Sequence, residues 1–295
     1  MKKKVVLLIL IFFLGHHTIY TWGFFAHYKI NKMAVFTLPE EMNTFFLNHI
    51  QLLEDNAVNA DKRRHRVVNE APRHYIDIDY YSKEKPFEVV PRKWHDAVEM
   101  YTEDTLLAYG TLPWNIKNQY YSLVESIKQH NVKAIIKYSS DIGHYIADAH
   151  VPLHTTLNYN GKLTNQDGIH SFWESRLPEL FADNYDYIVP KVTYIDDILE
   201  FSWSIIENSH NAKDSALLFE AELNERFSSD EKYSFEEKGS GSSKVYSLAY
   251  STAYHKMLDG MVERQMRSSI VSIGSVWYSA WIDAGQPNMN TWIME

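Results

Sequence analysis

The stretch His144-Tyr-Ile-Ala-Asp148-Ala-His150-Val-Pro-Leu-His154 decides how this chain is read. Residues four apart on a helix share a face, so His144 and Asp148 project from the same side. Pro152 ends that helix and carries His154 into the following loop. Downstream, Gly168-Ile-His170-Ser-Phe-Trp-Glu174 repeats the device, with His170 and Glu174 at the same spacing. A single His-x-x-x-acid pair is ordinarily a solvated surface pair. Two such pairs with a third histidine between them describe a site for more than one metal ion. The chain has no cysteine, so nitrogen and oxygen must hold any metal.

Working outward, the apolar residues recur at three and four spacing over most of the chain, which predicts an all-α protein. The expected helices are 24–35, 40–56, 97–107, 119–129, 132–150, 169–177, 195–208, 214–226 and 245–284, the last broken near Gly274. Residues 57–91 read as irregular and rich in charge, with Asp61-Lys-Arg-Arg64 and Arg73-His74-Tyr75-Ile-Asp77-Ile-Asp79 inside them. The low-complexity stretch 236–243 reads as a flexible surface loop. There is no convincing strand set, internal repeat or nucleotide-binding glycine loop.

Residues 1–21 read as an export signal: Lys2, Lys3 and Lys4, an apolar run over 5–15, then His16, His17 and Thr18. That run falls short of the roughly 20 apolar residues a spanning helix needs, so cleavage is expected rather than a retained transmembrane anchor. Ile19 and Thr21 make an imperfect small-x-small cleavage site, and the lack of cysteine excludes a lipid anchor there. The mature chain, 22–295, would be one helical domain, periplasmic or extracellular, acting as a monomer with no stable protein partner implied. Formal charge is −9, and loss of the signal's three lysines takes it to −12. That balance argues against broad attraction to nucleic acid or anionic lipid. Without disulfides, bound metal is expected to supply part of the stability. The 20 tyrosines, 14 phenylalanines and 8 tryptophans read mainly as core and groove lining.

One further element, Trp22-Gly-Phe-Phe-Ala-His27, lies just after the expected signal. The ordered set Trp22, His27, Asp61, His74, His144, Asp148, His154, His170 and Glu174 resembles the nine ligands of the tri-zinc phosphodiesterases, which comprise zinc-dependent bacterial phospholipase C and the single-strand-specific nucleases of the S-one/P-one type. The resemblance spans Trp22 to Glu174, just over half the precursor. It implies three Zn2+ ions. One would be chelated by the free amine and carbonyl of Trp22 with His27, and Asp148 would bridge it to a second held by Asp61, His74 and His144. The third would be held by His154, His170 and Glu174. A free α-amino group titrates near about 7.7–8.0, so a metal displaces its proton at modest cost.

The chemistry implied is hydrolysis of a phosphodiester by water acidified between the paired ions toward a pKa of ~7. The remaining ion would offset charge on the leaving oxygen. Asp61, Arg64 and Asp148 are the expected catalytic residues: Asp61 orients the water, Arg64 clamps the phosphate in the nucleases' Asp-x-x-Arg pattern, and Asp148 bridges the ions. Tyr75 and Asp77 are the expected substrate residues, stacking on and hydrogen-bonding a base. Asp77 and Asp79 are also expected to accept the second N–H of zinc-bound imidazoles. His150 and His65 match no ligand position, and His150 is expected to point away from the site. His49, His95, His130, His210 and His255 have no partner spacing and read as ordinary surface or core residues.

The substrate stays open at this level. The short Trp22 to His27 separation and Asp61-x-x-Arg64 are nuclease-like, whereas Gly-x-His170-Ser-x-x-Glu174 is phospholipase-like. Acidity and the lack of a basic aromatic track favour a phospholipase C-like activity slightly over a single-strand-specific nuclease. A non-catalytic zinc-binding secreted protein is a second alternative.

Overall fold

Helix Val132–Ala149 forms the axis of the molecule, and nearly every residue of its second half is buried. Asn131 caps its start by accepting the Ala134 N–H at 3.1 Å. Ile135, Ile142 and Ile146 form the expected apolar stripe. Helices Leu112–Lys128, Met261–Asp283, Phe24–Val35 and Ile50–Asn56 pack around it. Trp277, fully buried, donates its indole N–H to Ser139 O at 3.1 Å and ties the last long helix to the axis. The computed structural model describes residues 23–238 and 241–292; the expected signal 1–21 and Trp22 lie outside the described residues.

The fold is all-α, and helix Phe24–Val35 has the bounds its periodicity predicts. Elsewhere the local signals mislead. The expected helix 40–56 is two, Glu40–Asn48 and Ile50–Asn56, parted at His49, whose ring Nδ1 bonds Phe45 O at 2.8 Å. The expected helix 97–107 is likewise split, into Trp94–Tyr101 and Glu103–Tyr109, because Thr102 takes φ 69° and caps the second piece with its hydroxyl. Conversely, 195–208 and 214–226 fuse into one helix, Ile198–Asn224, since the residues between them include no proline or glycine to stop it.

Gly274 does not break the last helix. A Cβ there would lie 2.0 Å from Thr37 Oγ1 and 2.8 Å from Val192 Cγ1, so the glycine serves close approach inside a continuous helix. The break falls earlier, at Gly260, which adopts φ 74°. Within the expected loop 236–243, residues 236–238 and 241–243 are strand: strands Tyr233–Lys238 and Gly241–Tyr246 pair antiparallel, from Tyr233 opposite Tyr246 to Lys238 opposite Gly241. Arg176 fastens this hairpin to the domain through Glu236, with Nη1 to Oε2 at 3.0 Å. Among the described residues it is the only sheet, and no helix is long and apolar enough to cross a membrane.

Candidate metal centre

Six segments bring eight of the nine expected ligands to one buried place. Helix Val132–Ala149 brings His144 and Asp148, with Nε2 and Oδ2 3.2 Å apart. Helix Phe24–Val35 brings His27, and the short helix Asn59–Arg63 brings Asp61. His74 ends the turn Ala71–His74, and His154 sits in the turn Pro152–Thr155 just past Pro152. His170 and Glu174 lie where the helix widens into a π turn over Phe172–Arg176, a distortion that recurs at functional sites.

Asp148 stands at the centre. Its Oδ2 is 2.9 Å from His74 Nδ1, and its Oδ1 is 3.5 Å from both His27 Nε2 and His154 Nδ1. Asp61 Oδ1 lies 3.7 Å from His74 Nδ1 and 3.6 Å from His144 Nε2. The rings of His27 and His144 stack with centroids 3.9 Å apart. Glu174 Oε2 faces His170 Nε2 at 3.0 Å and His154 Nε2 at 3.3 Å. Three groups of side chains thus have geometry suited to a metal ion: His27, Asp61 and His144; His74, His144 and Asp148; and His154, His170 and Glu174. The first two share His144 and form one continuous cluster, and the last shares no residue with them, its His154 reaching Asp148 Oδ1 at 3.5 Å.

The donor set fits cations. His144 Nδ1 bonds Ala57 O and His154 Nδ1 bonds His74 O, each at 2.8 Å. A carbonyl only accepts, so each Nδ1 carries a proton and each Nε2 is left facing inward toward the acids. Both nitrogens of His170, His154 Nε2 and both Glu174 oxygens are buried without a hydrogen bond. Burial, then the Arg64 charge, push His170 down to about 3, while burial pushes the Glu174 carboxyl up to about 8. Burial and His144 push His27 down to about 4. Against its own burial, His144 is carried up to about 9 by Asp148 and Asp61, and the surrounding histidines hold Asp148 well below the carboxylate range. Buried acceptors that converge in this way are stabilised by a shared positive charge.

The expected imidazole acceptors Asp77 and Asp79 are not used that way, because backbone carbonyls already take the N–H groups of His144 and His154. Asp79 instead accepts the Thr156 hydroxyl at 2.6 Å and the Leu157 N–H at 2.9 Å, fixing the chain that follows His154. Asp77 lines a pocket of about 120 Å³ together with Arg64, His74, Tyr75, Leu153, His154, Tyr159 and His170. Burial, then Asp79, push the Asp77 carboxyl up to about 7. Arg64 Nη1 is buried without a hydrogen-bond partner. Tyr159, whose ring lies edge-on to His170 at 5.7 Å, was not singled out by the sequence, where it is one aromatic in the polar run Asn158-Tyr159-Asn160.

His150 turns away as expected, bonding Ile146 O at 2.8 Å and Ser272 Oγ at 3.3 Å, and His65 is exposed. The expected ligand Trp22 lies outside the described residues. Gly23, the first described residue, donates its N–H to Glu174 O at 3.2 Å.

No family model matches this chain, and no curated protein matches it. In three dimensions it is similar to the alpha-toxin of Clostridium perfringens isolated from avian strain SWCP, with a TM-score of 0.51 and 12% identity over 92% of this chain. The chain spans 65% of the length of that toxin chain. At this identity the likeness concerns the helical fold.

Proposed function

We propose that the protein is an exported zinc-dependent hydrolase of phosphodiesters, with 22–295 as its mature domain and Trp22 as the N-terminal ligand. The observation that carries this reading is the pocket onto which His74, His154 and His170 all open, because it touches both the paired cluster and the separate group of metal-type ligands. His27, Asp61, His74, His144, Asp148, His154, His170 and Glu174 would hold the zinc, which when bound would supply an acidified water and positive charge for the phosphate. The chain's own residues do the rest. Asp61, at the pair's edge, would orient the attacking water. Arg64, with Nη1 buried and unpaired, meets a non-bridging phosphate oxygen. Leu153 and the buried walls exclude bulk water, which strengthens each of these contacts.

We favour a phospholipase C-like activity. Tyr75, Tyr159 and Asp77 line one small pocket, and two aromatic rings with a carboxylate suit a quaternary ammonium headgroup. Net charge of −9 disfavours a polyanionic track. A single-strand-specific nuclease is the second reading, supported by Arg64 three residues after Asp61 and by Tyr75 as a stacking surface beside Asp77. A panel of phosphatidylcholine, single-stranded DNA and RNA, with and without chelator, separates them. Phosphatidylcholine turnover abolished by chelation is expected. Turnover of nucleic acid alone favours the nuclease, and zinc binding with no turnover of any phosphodiester favours a non-catalytic zinc protein.

A further inference from the structure

We infer that Arg63 is a positioning residue for the paired metal site, locking the segment that carries Asp61 and His74 onto the helix that carries His144 and Asp148. The inference rests on the metal reading above and concerns residues outside the ligand set. The guanidinium of Arg63 makes three hydrogen bonds in three directions: Nε to Glu70 Oε1 at 2.8 Å, Nη1 to Asp141 Oδ1 at 2.9 Å, and Nη2 to the Tyr145 hydroxyl oxygen at 2.9 Å. Glu70 belongs to the first segment, and Asp141 and Tyr145 belong to the helix. The network therefore spans the two elements whose separation sets the paired site.

Three members of the network connect to the proposed ligands, through the chain or through ring contact. Arg63 follows Asp61 by two residues. Glu70 Oε2 accepts from Arg73 Nη1 at 3.1 Å, and Arg73 directly precedes His74. Tyr145 donates its hydroxyl to Glu70 and sets its ring edge-on against both His74 and His144, with centroids at 5.4 and 5.6 Å. Among the described residues, none of the hydrogen bonds of Arg63, Glu70, Asp141 or Tyr145 reaches His154, His170 or Glu174.

Glu70 and Asp141 are almost fully buried. Desolvating such a cluster costs about as much as its attractions return, and apolar replacements of similar ones often keep or raise stability. Stability alone is thus a weak reason for an ionic cluster here. Its directional bonds have a clearer use in holding the His74 and His144 rings at fixed separation, because a displaced ligand weakens a metal site steeply. Loss of a partner bonded directly to a ligand typically lowers metal affinity by about 10–100-fold, which sets the upper range for a network one contact further out.

The test is a zinc competition titration of the mature protein, with Arg63→Met and Tyr145→Phe beside it and His170→Ala to identify the equivalent that belongs to the separate group. In Arg63→Met, two of the three zinc equivalents are expected to weaken by about 10–100-fold while the one lost in His170→Ala keeps its affinity. Arg63→Lys, which keeps the charge but not the three-way fork, should recover only part of the loss. If Arg63→Met does not fold, Tyr145→Phe decides: it keeps the ring, removes two bonds of the network, those to Arg63 and Glu70, and should weaken the same two equivalents. Equal weakening of all three sites, or none in a folded variant, overturns the inference and leaves the metal reading standing. Wild-type protein that takes up no zinc overturns both.

Discussion

Asp148 Oδ2 lies 2.9 Å from His74 Nδ1 across 74 residues of sequence, and the other oxygen of the same carboxylate faces His27 at 3.5 Å. One buried anion therefore serves two neighbouring ligand groups. Asp148→Asn keeps the volume and removes the charge that offsets a cationic pair. It is expected to lower phosphodiester turnover by more than about 100-fold and to reduce zinc content. Asp167, an exposed acid hydrogen-bonded to Asn160, is the control, and Asp167→Asn should stay within about twofold of wild type. Equal activity in the two variants would show that Asp148 does not bridge.

His170 contributes to the separate group alone, facing Glu174 Oε2 at 3.0 Å. His170→Ala should release one zinc equivalent and leave the other two in place, as read by metal analysis after dialysis. Loss of all the zinc would mean that the groups are not independent.

Asp77 gives a pH signature. Its carboxyl is pushed up to about 7 by burial and then by Asp79, so it is neutral below that pH and anionic above it. A cationic headgroup binds the anionic form, so KM for phosphatidylcholine should fall as pH rises through about 7. Asp77→Asn should flatten that dependence and leave KM at its high, low-pH level. An unchanged profile in Asp77→Asn would remove Asp77 from substrate binding.

Gly274 carries a packing prediction. Gly274→Ala must push its methyl group against Thr37 and Val192, and overpacking of this kind costs about 1–3 kcal/mol. The denaturation midpoint should drop while zinc stoichiometry is unchanged, because neither Gly274 nor the two residues it meets belong to the ligand groups. A midpoint equal to wild type would mean that helix 261–283 shifts freely against residue 37.

The convergence of His144 with Asp148 and of His170 with Glu174 was legible because residues four apart declare a shared helix face by spacing alone. Helices 24–35 and 132–149 were legible for the same reason, each having an uninterrupted apolar stripe. Gly274 was misread because a glycine in a helical run looks like a break, and its partners Thr37 and Val192 lie far away in sequence. The hairpin 233–246 was hidden by a polar, serine- and glycine-rich composition whose pairing depends on the partner strand and on Arg176. Arg63, Glu70, Asp141 and Tyr145 gave no signal, since a network joining two distant segments leaves no periodicity in either. Asp77 and Asp79 were misassigned because backbone carbonyls, which every residue carries, took the role reserved for them.

The most direct test is turnover of a generic aryl phosphodiester by zinc-stripped mature protein as zinc is added back in known equivalents. The account predicts no turnover in the stripped protein, and activity that rises and saturates at about three equivalents, one for each of the three ligand groups. Full turnover in the stripped protein, saturation at a single equivalent, or no turnover at any zinc level would contradict it.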